Sequence, residues 1–174
     1  MLYLLQATSI ERPHTDFRED SMSNPRSTAS IRGHPLHPMI IPFPIACFVG
    51  ALVCDVISVN TPNPFWTTAS LYLIGAGLVM AALAAILGLI DFFGEPRIRQ
   101  LTDAWLHAGA NVIAVLIEAY NFYIRYYWGG PGTAPNGLLL SAAVVIILLF
   151  SGWKGWGMVY KHHVAVADIT GPRE

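Results

Sequence analysis

Residues 66–90 read WTTASLYLIGAGLVMAALAAILGLI, 25 positions without one charged side chain. About 20 apolar residues in a helix cross the roughly 30 Å hydrocarbon core of a bilayer. The run is long enough for that, and its residues offer water nothing to bind. Three more segments of similar character surround it, at about 39–59, 104–128 and 137–160. Hydrophobic residues make up 54% of the 174-residue chain, charged ones 12%, and the mean hydropathy is +0.49. Soluble domains carry about a quarter charged residues. A deficit of this size predicts an all-α integral membrane protein, because lipid leaves helices and closed barrels as the only spanning structures.

The connections are short. VNTPNP (59–64) and GGPGTAPN (129–136) are rich in Pro, Gly and Asn, and FFGEPRIRQLTD (92–103) offers Thr102 or Asp103 as a cap for the third span. Short connections predict an up-and-down four-helix bundle. Arg26 and Arg32 precede the first span, Arg97 and Arg99 lie between the second and third, and Lys161 and Arg173 follow the fourth, with Lys154 just inside its end. The other two connections hold no Lys or Arg. The positive-inside rule then places both termini in the cytoplasm of a bacterial inner membrane, N-in and C-in. Trp66 and Trp128 fall at the outer limits of the spans, and Trp105, Trp153 and Trp156 at the inner ones, as interfacial belts require. Residues 1–30 are polar and predict a disordered cytoplasmic tail, with Met22 an alternative start to Met1. The transmembrane domain is expected over 31–166 and a short tail over 167–174. A net charge of -1 excludes the electrostatic footprint of a nucleic-acid binder. Cys47 and Cys54 sit two turns apart in one span, too far to bridge, and read as small buried residues. Gly77, Ala81, Ala85 and Gly88 make a small-residue stripe for close helix packing.

Apart from His14 in the tail, every histidine maps to the cytoplasmic side: His34, His37, His107, His162 and His163, with Asp91 ending the second span there. Imidazole is the commonest metal ligand and a common axial ligand of haem. One expectation is therefore a b-type haem held by His37 and His107, with His162 or His163 as substitute or supporting partner. A second is a divalent-metal site built from His34, His37, Asp91 and His107. A third is a non-catalytic module packing in a larger membrane complex, its interfacial histidines serving helix ends. His34 fits a simple role holding the opening turn. On the third span, His107, Asn111, Glu118, Asn121 and Arg125 fall within about 80° at 100° per residue. Such a polar seam must face protein or water rather than lipid. It reads either as interhelical glue or as a proton or electron-coupled path from Glu118 towards His107. Asp55 lies at the depth of Arg125 and is expected to pair with it. Nothing resembles a hydrolase nucleophile, a phosphate loop or a transporter's inverted repeat, so no catalytic residue is assigned.

GHPLHPMIIPFPI (33–45), GLIDFFGEP (88–96), LHAGAN (106–111) and GWKGWGMVYKHHVAV (152–166) together resemble a widespread bacterial family of four-helix membrane proteins, known only as a domain of unknown function that opens with GHPLHP. The resemblance covers about residues 28–166 and implies the membrane location and the four-helix bundle. Some relatives are joined to Rieske-type iron–sulfur domains, which implies an electron-transfer partner. The family pattern often ends on a single His before a small residue, whereas His162 and His163 stand together here. The resemblance carries no established activity.

Overall fold

A computed structural model describes residues 23–129 and 133–167. The order is β1 (Ser30–Ile31), β2 (His34–Pro35), α1 (Leu36–Ile40), α2 (Pro42–Asn60), α3 (Pro64–Gly94), α4 (Pro96–Arg99), α5 (Thr102–Trp128) and α6 (Leu138–Tyr160), the last entered through a wide turn at Thr133–Gly137. Proline opens α2, α3 and α4, where its missing N–H costs nothing. Asn63 caps α3 by accepting from Phe65 N at 3.0 Å. Gly129, at φ +59, ends α5 in a conformation that glycine tolerates best.

The fold is mostly helical, and the expected spans coincide with α2, α3, α5 and α6 to within a few residues. Among the described residues, three segments are long and apolar enough to cross a membrane: Leu36–Asn60, Pro64–Gly94 and Thr133–Tyr160. Helix α5 is long enough, at 27 residues, or about 40 Å at 1.5 Å per residue. Its composition sets it apart, because Asp103, Glu118, Arg125 and two asparagines interrupt its apolar positions. Helix α2 packs on α3 and α6, and α5 packs on α6 and α3, so each long helix touches two others. The buried face of α3 runs through Ser70, Ile74, Gly77, Ala81 and Ala84. Ala85 of the expected small stripe points outward instead.

The chain before α1 departs from the expected tail. Residues 1–22 lie outside the described residues, as do 168–174 of the C-terminal tail. Residues 23–30, however, are fastened to the body. Asp91 Oδ1 accepts from Ala29 N at 2.7 Å and Ser27 Oγ at 2.8 Å, and Arg97 donates to Ser23 O at 2.7 Å. The returning end of the chain meets this strap, with Ala165 N donating to Pro25 O at 2.8 Å. A tight hairpin then turns through Arg32 and Gly33, both at positive φ, into β2. This small strand pair is absent from an all-α expectation.

Candidate functional site

Two polar clusters occupy opposite ends of the helix assembly. At the first, α1 and α5 bring His37 and His107 together with ring centroids 6.3 Å apart and ring planes perpendicular. His37 Nδ1 donates to Ala84 O on α3 at 2.7 Å, and His107 Nδ1 donates to Ser151 O on α6 at 2.9 Å. A carbonyl oxygen only accepts, so both rings carry hydrogen on Nδ1 and direct a lone pair from Nε2. His107 Nε2 receives Asn111 Nδ2 at 3.1 Å, and Asn111 also reaches Ser151 Oγ at 2.7 Å. His37 Nε2 has no hydrogen-bond partner among the described residues. Both rings lie against glycine backbone. A Cβ built on Gly88 would come within 2.9 Å of the His37 ring, and one on Gly155 within 3.2 Å of His107. Larger residues there would displace the imidazoles from these positions.

The other residues expected at this site do not join the imidazole pair, each having other contacts or an exposed position. His34 is exposed in the hairpin with Nδ1 3.1 Å from Arg32 O, a local turn contact. Asp91 is committed to the strap, as above. His162 Nε2 lies 3.7 Å from Asp103 Oδ2, whose other oxygen takes Lys154 at 3.0 Å. His163 is exposed at φ +52. Among the described residues no three His, Cys, Asp or Glu side chains come close enough to hold one metal ion.

The second cluster sits at the opposite end and is fully enclosed. Arg125 on α5 grips Asp55 on α2 with both arms, Nη1 to Oδ1 at 2.6 Å and Nη2 to Oδ2 at 2.7 Å. Ser70 of α3, Ser141 of α6, and Asn121 and Glu118 of α5 complete it, and all six side chains are buried. Serines 70, 141 and 151 are not among the residues expected from sequence. The available signal is their rarity as polar positions in α3 and α6.

The seam on α5 is thus not one continuous column. Between Asn111 and Glu118 lie two turns of helix, about 10 Å. Ala114 fills this gap with Phe48, Ala81 and Val144, all buried, backed by Leu78, Val115, Ile147 and Leu148. An apolar layer separates the imidazole pair from the ion pair.

By its three candidate spans among the described residues and the polar cluster enclosed between its helices, the molecule is a multi-pass helical membrane protein. It belongs to the family described as Predicted membrane protein (DUF2231), whose model matches residues 33–168. No curated protein and no solved structure matches the chain.

Proposed function

We propose that the protein is a four-helix, up-and-down bundle of the bacterial inner membrane, N-in and C-in, that binds a b-type haem through His37 and His107 and works as an electron-carrying module. Its partner in this reading is an electron-transfer protein or a larger membrane complex. The observation that carries the proposal is the pair of imidazoles fixed 6.3 Å apart by Nδ1–H bonds to two different helices. Ligating histidines are oriented in this way, with the second ring nitrogen bonded to a carbonyl or carboxylate. Metal–nitrogen bonds near 2 Å place two imidazoles on one ion with centroids roughly 6 Å apart. Haem suits a two-histidine donor set better than zinc does, because haem brings four ligands of its own whereas zinc wants three or four from the protein. Bound there, haem supplies one-electron redox chemistry. The chain's part is to hold both rings in one tautomer, to keep lipid-facing helices around them, and to close the mouth with the 23–29 strap.

The orientation rests on the Lys and Arg asymmetry, and on the meeting of strap and C-terminal segment at the histidine end. The four-helix reading rests on the length of α5 and on its polar face being turned inward, so that exposed Val112, Ile113, Leu116 and Tyr120 are left for lipid. One observation favours a second reading, a purely structural latch: Asn111 already occupies the His107 lone pair at 3.1 Å. Titration of detergent-purified protein with haemin distinguishes the two. The haem reading expects saturation at one haem per chain with a low-spin spectrum, lost in His37→Ala and in His107→Ala but kept in His14→Ala. Binding that never saturates, or that both variants retain, overturns it in favour of the latch.

A further inference from the structure

The buried cluster around Arg125 holds one group whose charge has no counterpart. Asp55 and Arg125 cancel each other, with side chains 0% and 1% exposed. Glu118 is the third ionisable side chain of the cluster, and it is 0% exposed. The donors can be followed one by one. Arg125 spends Nε on Asn121 Oδ1, Nη1 on Asp55 Oδ1 and Ser70 Oγ, and Nη2 on Asp55 Oδ2 and Ser141 Oγ. A guanidinium has five N–H groups, and all five are used. Asn121 spends its amide on Glu118 Oε2 at 2.9 Å and Ser141 Oγ at 3.0 Å. Glu118 Oε1 is left as a buried oxygen with no hydrogen-bond partner among the described residues.

We propose that Glu118 is a proton-binding site within the membrane-embedded part of the protein, loaded in the folded state at neutral pH, so that the cluster as a whole is neutral. An ionised carboxylate here would be an uncompensated charge in a low-dielectric layer, with one donor for two oxygens. A buried group in that position takes up a proton instead. The groups facing Glu118 offer no alternative neutralisation. Asn121 bonds it directly, the surrounding cluster adds Asp55 of α2, Ser70 of α3 and Ser141 of α6, and the only cation of that cluster among the described residues is Arg125, already paired. The proton adds to one carboxylate oxygen and comes from water, with no redox change. Ala114, Phe48 and Val144 close the way towards His107, so the site is a proton store and not one step of a relay along α5.

Infrared spectroscopy of the full chain in detergent, with and without 13C-carboxyl glutamate, tests the assignment at neutral pH. The proposal expects a carboxylic-acid C=O band equivalent to one group per chain, shifted by the glutamate label and absent from Glu118→Gln. Gln matches the neutral acid in shape, so this variant should fold. If it does not, the label shift in the unaltered chain still decides. A spectrum with no label-sensitive acid band, or one unchanged in Glu118→Gln, overturns the proposal.

Discussion

The two polar clusters use similar residue types to opposite ends. Around Arg125 the donors are all matched, the side chains are sealed from solvent, and four helices contribute. Around His37 and His107 the rings are only partly buried, and one imidazole nitrogen has no partner among the described residues. A buried network whose donors are all spent fixes a fold, since each donor is costly to strand. A partly open one with an unspent lone pair fixes the fold less and can still accept a ligand. The two ends therefore differ in what they can offer a ligand: the Arg125 donors are spent, whereas the His37 lone pair is not.

Mutation should expose that division most strongly at the ion pair. Asp55→Asn or Arg125→Gln leaves one charge buried and unpaired, which typically costs about 3–5 kcal/mol. The detergent melting temperature should drop steeply in either single variant. An Asp55→Asn/Arg125→Gln double variant should lose less than the two singles added together. Additive losses would mean that the pair does not act as a unit. Next in size, Ser141→Ala removes the acceptor shared by Asn121 and Arg125, and unsatisfied buried donors cost about 1–3 kcal/mol. At the histidine end, Asn111→Ala should cost about 1 kcal/mol or less, because Ser151 still bonds His107 and the site is partly open. If Asn111→Ala proved as damaging as Arg125→Gln, the contrast between the ends would fail.

The smallest effect concerns the strap. The Arg97 side chain, bonding to Glu95 at 2.9 Å, holds that carboxyl down at about 2. A depressed carboxylate contributes stability that is present above its unfolded value near 4.3 and is lost as pH falls through the folded value. Protection of the amides of residues 23–29, taken relative to their intrinsic exchange rates, should therefore stay high at neutral pH and fall as pH drops below about 4 towards 2. In Glu95→Gln that acid-dependent loss should vanish. Protection that falls identically in both proteins would sever Glu95 from strap anchoring.

Helix positions were legible because spanning needs only length and apolar composition, and prolines and glycines mark the turns. The meeting of Asp55 with Arg125 was legible for a related reason: two charges at one depth in an apolar chain have few other partners. The seam on α5 was only half legible. A helical wheel projects Asn111 and Glu118 onto one face but discards the two turns between them, where Ala114 sits. Asp91 looks like a metal ligand because the strap that consumes it, residues 23–30, has the polar composition of a loose tail. Ser70, Ser141 and Ser151 stay silent in sequence, since a lone serine in an apolar helix can equally bond its own backbone.

In the function proposed above, the histidine end binds a haem, whereas the ion pair and serines around Arg125 take no part in holding it. A reduced-minus-oxidised absorption spectrum of protein purified from haem-replete cells tests it most directly, measured on the unaltered chain, His37→Ala and Ser141→Ala. The expected result is a low-spin b-type difference band in the unaltered chain, its loss in His37→Ala, and its retention in Ser141→Ala despite the lower melting temperature. A colourless protein, or a band that His37→Ala leaves intact, would contradict it.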